Sequence, residues 1–214
     1  YNMIYSHNQP NVYLLDNCGE IVHVWEDSSQ FRPGNTAYLL FNGNLLKTKR
    51  RADISNDPIW AGGGGAIVEI RTWENELLWQ YELNDENYRL HHDIALTDDG
   101  NIMMIAWEKK TEAEAIQAGR DTALIPDGEV WSEALLENNP ATNEMEWECH
   151  LWDHLVQDFD PSKDNYVSNI ADHPDRMNIN YTSNDGGRDW AHINAVDMIK
   201  NVNLDQDHVV VSVP

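Results

Sequence analysis

Two short runs carry residue types that can do chemistry. One is His91-His92-Asp93; the other is Asp189-Trp190-Ala191-His192-Ile193-Asn194. Imidazole titrates near neutral pH, so two histidines brought together could bind an anionic group or move protons. A plainer reading is open too: each histidine caps its own strand or bonds nearby backbone. A third cluster is Trp152-Asp153-His154 with Asp158, Asp160 and Asp164. Aspartates at relative positions 1, 3 and 7 match part of a Ca²⁺ loop, but the glycine at position 6 and the closing glutamate are missing. A solvated acidic loop fits the same residues.

Other chemistries find less support. His91, His150 and His154 are not spaced for zinc, and Cys18 and Cys149 make no metal pattern and at most one disulfide. There is no GxSxG and no convincing Ser/His/Asp arrangement. Gly62-Gly63-Gly64-Gly65 could cradle an anion with backbone N–H groups. Such a run also lets the backbone pass close to another strand, and without GxGxxG spacing or a following helix it does not point to a nucleotide.

The elements that must position these groups read as β-hairpins. Residues 90–107 give a strand, a turn at Asp98-Asp99-Gly100-Asn101 and a second strand, with alternating Ile94, Leu96, Ile102, Met104 and Ala106. Residues 12–25, 66–81 and 133–149 do the same, and their turns align Gly19, Asn75 and Asn143. Further strand pairs follow at 35–49 and 192–213. A helix is expected over 110–120, capped by Thr111 with Glu114 and ended by Gly119.

Taken as repeats, these hairpins make about three four-stranded units, near 12–60, 61–130 and 131–214, the last carrying an inserted polar loop at 150–190. Four-stranded units in series are the signature of a β-propeller. The expected fold is therefore all-β, a single partial propeller domain. Closure takes ~4–8 blades, so further blades or a second copy of the chain would have to complete it. In this alignment His92 precedes Asn101 by as many residues as Asn35 precedes Asn44, and His192 holds the same place in the third unit. His92 and His192 are thus expected at one axial site. His91, outside that register, reads as structural.

A net charge of −23 argues against nucleic acid and anionic membranes, since binding phosphates takes clustered Lys and Arg. It fits a strongly hydrated surface or one that holds calcium. No run approaches the ~18 apolar residues of a membrane span, and no signal peptide is visible. The chain opens on Tyr1 and stops at Val213-Pro214 straight after a strand-like run, which reads as a piece of something longer.

The succession HHDIALTDDGNIMMIAWE, EAIQAGRD, MEWECHLWDHLVQDFDPSKDNY and DWAHINAVD with DQDHVVVSV resembles the bacterial arylsulfotransferases. These are PAPS-independent aryl-sulfate sulfotransferases, and the resemblance runs from about Tyr13 to Pro214. It implies a six-bladed propeller, secreted to the periplasm or beyond. It further implies cofactor-free, ping-pong transfer of sulfate from an aryl sulfate to a phenol through a sulfated histidine. Carried over by motif, His92 and His192 would bind the sulfate, with Asp93 and Asn194 as orienting neighbours. The nucleophilic histidine would lie in a blade beyond residue 214. The arginine expected just after HVVVS is replaced by Val213-Pro214. The competing reading is a non-catalytic extracellular propeller that acts as a binding or structural module.

Overall fold

A computed structural model describes residues 1–181, 187–200 and 207–212. Val213 and Pro214, where the family arginine was expected, lie outside the described residues. Among those described, the fold is all-β, with fifteen strands and one short helix. No described helix is long and apolar enough to cross a membrane.

Strands β1 (Asn2–Ile4), β2 (Val12–Leu15) and β3 (Ile21–Trp25) form a three-stranded sheet. Strands β4 (Phe31–Leu39), β5 (Leu45–Arg51), β6 (Ile67–Arg71) and β7 (Leu77–Glu82) form a four-stranded antiparallel meander. A second meander joins β8 (Tyr88–Leu96), β9 (Ile102–Thr111), β10 (Glu129–Asn139) and β11 (Glu144–His150). Short parallel strands β12 (Leu155–Val156) and β13 (Met177–Asn178) follow, then the hairpin of β14 (Ala195–Lys200) and β15 (Asp207–Ser212). Helix α1 (Glu112–Gln117) forms where expected, with the reciprocal Thr111–Glu114 capping box and Gly119 at φ +95°.

Each expected hairpin is present, but the sheets pair them one hairpin out of phase with the units at 12–60 and 61–130. The hairpins at 35–49 and 66–81 share one sheet, and those at 90–107 and 133–149 share the next. A hairpin signal in sequence fixes which two strands pair across a turn; it does not fix which hairpins join edge to edge. The aligned turn residues Gly19, Asn75 and Asn143 all take positive φ, at +86°, +71° and +61°.

Successive sheets pack face to face. Leu46, Val68 and Trp79 of the first meander bury against Leu90, Ile94, Ile102, Met104 and Leu136 of the second. Val12, Leu14 and Trp25 pack on Leu45, and Ile193 and Val196 pack on Ala95, Met103 and Ile105. Tryptophans also tie each sheet to the next turn: Trp25 Nε1 donates to Thr72 O, and Trp79 Nε1 to Asn143 Oδ1. Beneath the first seam lies a buried ion cluster. Lys47 Nζ contacts Asp27 at 2.8 Å and Glu69 at 3.1 Å, while Lys49 Nζ contacts Glu69 at 2.7 Å and Asp27 at 3.2 Å. Arg71 adds two bonds to Glu69. Burial alone would raise the Glu69 carboxyl; Arg71, Lys47 and Lys49 together hold it below the usual carboxylate range.

Residues 150–181 of the inserted segment include the short strands β12 and β13. Buried Gln157 anchors its acidic loop: its side-chain amide donates to Asp160 O and Asp164 O, and its oxygen accepts from the N–H groups of Phe159 and Asp160. Leu155 and Ile179 pack with Ala115, Ala118 and Val130, which fastens the insertion to α1 and β10.

Candidate functional site

Strand β8 carries a bulge between Leu90 and Ile94. In a regular strand, neighbouring side chains point to opposite faces. Here His92 takes φ +49°, the left-handed region, and the alternation breaks. The rings of His91 and His92 therefore meet, Nδ1 to Nδ1 at 2.8 Å. The glycine run makes room for this. His92 N donates to Gly63 O at 2.7 Å, and Gly64 bridges to His91. A Cβ on Gly63, itself at φ +63°, would fall 2.3 Å from His92 Cε1 and Nε2. Of the two readings of Gly62–Gly65, the structure realises close passage of backbone against a strand.

His192 arrives from the far end of the insertion. Trp131 on β10 grips that segment by donating its N–H to Arg188 O and accepting from Trp190 N. Ala191 and His192 follow at φ +72° and +48°. The His192 ring then stands edge-on to that of His92, with centroids 4.7 Å apart. Asp189 orients it: Oδ2 lies 2.5 Å from His192 Nδ1, and Oδ1 accepts from Trp107 Nε1 at 2.9 Å. His92 and His192, paired by the repeat register, are thus brought together.

Asp93 and Asn194 are placed differently. Asp93 accepts from Tyr38 Oη at 2.7 Å and from Val196 N at 3.2 Å, so it fastens β4 and β14 to β8. It lines a cleft of about 510 Å³ with Leu40, Leu46, Ala195 and Val211; His92 and His192 do not line that cleft. Asn194 is exposed, and its N–H donates to Ser212 O. Asp158 and Asp164 are exposed, while Asp160 caps Ser162. Among the described residues, no three His, Cys, Asp or Glu side chains gather as a metal site. Cys18 and Cys149 are free thiols.

Two further residues stand at the centre: His91, expected to be structural, and Glu133, which the sequence does not single out. His91 is fully buried, stacked on Trp107 with centroids 4.0 Å apart, and its Nε2 lies 2.8 Å from Glu133 Oε2. Glu133 is buried as well, and its other oxygen accepts from Ile193 N at 2.9 Å. The pair has ion-pair geometry, yet burial works against charge on either group. Burial pushes His91 down to about 3 and raises Glu133 well above its usual range. His92, half-buried, is lowered to about 4 by burial and then by His91 and His192. The signal for Glu133 lies in register: Arg89, Trp107 and Glu133 are cross-strand partners in one row of the sheet. Arg89 is also buried, held by Asp57 and Asn84, and its remaining nitrogens face Gly64.

A family model described as arylsulfotransferase (ASST) matches residues 2–213. No curated protein matches the chain. Among solved structures, the chain is similar to a protein of unknown function from Bacteroides caccae, at 9% identity and a TM-score of 0.50. That match covers 99% of this chain and 49% of the other, so the chain spans about half of that structure's length. At this identity the likeness speaks for the fold alone.

Proposed function

The chain belongs to the arylsulfotransferase family, and from that premise we propose that it is arylsulfotransferase-like, with His92 and His192 holding the sulfuryl group of an aryl sulfate. The observation that carries this reading is the convergence of those two rings from separate elements, each fixed by a partner at Nδ1. With one nitrogen engaged, each ring has its Nε2 left for a ligand. An Nε2–H on His92, and on His192 when its ring is protonated against the Asp189 carboxylate, suits the spread charge of a sulfate ester. The transfer to a phenol needs no cofactor, since the donor already carries the activated group.

The sheets are blades in this reading, stacked in chain order, with first strands β4, β8 and β14 innermost. Six blades would close the ring, the rest coming from outside residues 1–214 or from a second copy. The nucleophilic histidine belongs to that remainder, and the complete protein works in the periplasm or outside the cell. The test is turnover of p-nitrophenyl sulfate with phenol by the complete protein, against its His92→Asn and His192→Asn variants. Turnover lost in both supports the proposal. No turnover in the intact, folded protein leaves a non-catalytic extracellular binding or structural module instead.

A further inference from the structure

We propose that Glu133, His91 and His92 form a proton relay in which the protonation state of Glu133 decides whether Nε2 of His92 carries a hydrogen. The relay is a continuous chain: Glu133 Oε2 to His91 Nε2 at 2.8 Å, then His91 Nδ1 to His92 Nδ1 at 2.8 Å. Each contact holds one hydrogen, so the chain has two consistent arrangements.

With Glu133 a carboxylic acid, its O–H donates to His91 Nε2. His91 then donates Nδ1–H to His92 Nδ1, and His92 keeps its hydrogen on Nε2. With Glu133 a carboxylate, His91 donates Nε2–H to it. His91 Nδ1 then accepts from His92 Nδ1–H, and His92 Nε2 bears a lone pair. The two arrangements differ by one proton, gained or lost at His92 Nε2. Both imidazoles stay neutral throughout, which suits a buried site where a charged ring is costly.

The surroundings fix the relay in place. His91 lies flat on Trp107, and Ile193 N holds the second oxygen of Glu133. The charged or titratable groups that face it are Arg89, already paired with Asp57, Asp93 beside His92, and Asp189 with His192. None of the four bonds Glu133 or the linked nitrogens directly.

Its role in sulfate transfer rests on the proposal above. A phenolate leaving the donor takes the Nε2 proton of His92. His91 passes its Nδ1 proton to His92 Nδ1, and Glu133 passes its own to His91 Nε2, ending as a carboxylate. An acceptor phenol that gives its proton to His92 Nε2 drives the same hops in reverse. The proton count closes over one cycle with no external acid or base. Glu133 and His91 are positioning residues in this scheme, since neither meets the substrate.

The test is ¹⁵N and ¹³C NMR of the complete protein, labelled on histidine and glutamate, across pH, reading the hydrogen position on His92 together with the Glu133 carboxyl carbon. The relay requires Nε2–H whenever Glu133 is protonated and Nδ1–H whenever it is ionised. A spectrum at any pH that pairs the states the other way overturns it. Glu133→Gln can only donate to His91 while its oxygen still serves Ile193, so His92 should stay Nε2–H at every pH. A neutral His92 ring that carries its hydrogen on Nδ1 in that variant also overturns the relay. If the variant fails to fold, the wild-type spectra decide alone. Adding p-nitrophenyl sulfate separates the two ideas: a relay that behaves as required while His92 ignores the ester removes the sulfate reading and leaves the relay.

Discussion

His92 and His192 share a positive φ, +49° and +48°, although one stands in a strand bulge and the other follows a long insertion. A left-handed non-glycine residue costs roughly 1–2 kcal/mol. Two of them facing each other mark a place where geometry outweighs local preference. Each backbone turn aims an imidazole at the same point, and each ring has its Nδ1 occupied. From that relationship the following outcomes are expected.

Gly63→Ala should disable the site. Its Cβ would meet the His92 ring at 2.3 Å, and its φ of +63° disfavours any side chain. The expected result is a tenfold or greater loss of p-nitrophenyl sulfate affinity, with about 1–2 kcal/mol of stability lost as well. Calorimetric titration and urea unfolding read the two effects separately. Gly43→Ala, at φ +85° with open space around it, carries the backbone cost alone and should leave affinity unchanged.

Asp189→Asn should release His192 while sparing the fold. An asparagine oxygen can still accept from Trp107 Nε1, but its NH₂ cannot accept from His192 Nδ1. Affinity for the sulfate ester should fall about tenfold, with a melting temperature within a few degrees of wild type. Unchanged affinity would mean that Asp189 does not position the ring.

Acidification should destabilise the protein through His92. Its folded value, about 4, lies below the unfolded value of 6.5, so the unfolded chain takes up the proton first. The stabilising contribution is complete above pH 6.5 and lost as pH falls towards 4. With screening at a half-buried ring, the loss is ~1–2 kcal/mol. Urea unfolding at several pH values should show a shallower acid loss in His92→Gln. Parallel pH profiles for the two proteins would refute this.

Glu69→Gln should be costly in a place far from the histidines. It leaves Lys47 and Lys49 buried with only Asp27 between them. Removing one partner from a buried ion cluster typically costs ~3–5 kcal/mol. Chemical denaturation should register that loss, while His92 and His192 keep their NMR shifts.

Much of this was legible in the sequence. Turn chemistry at Asp99-Gly100 and at Asn75 located the hairpins, and repeat alignment paired His92 with His192. What escaped was of two kinds. Strict alternation separates His91 from His92, and only the left-handed bulge brings their rings together. Glu133 on β10 reaches His91 on β8 past the one intervening strand, β9, where Trp107 is its cross-strand partner. Sheet membership was the other gap, because hairpin signals are local while edge pairing depends on which faces bury together. Asp93 shows the difference: motif placed it beside the site, whereas Tyr38 and Val196 draw it into the seam between strands.

In the proposed function His92 and His192 together bind a sulfate ester. The most direct measurement is titration of the ¹⁵N-labelled chain with p-nitrophenyl sulfate, following the imidazole nitrogens. Saturable shifts at Nε2 of both rings, with one shared dissociation constant and loss of both in either His→Asn variant, are the expected result. Shifts at neither ring, or at one ring indifferent to loss of the other, would contradict it.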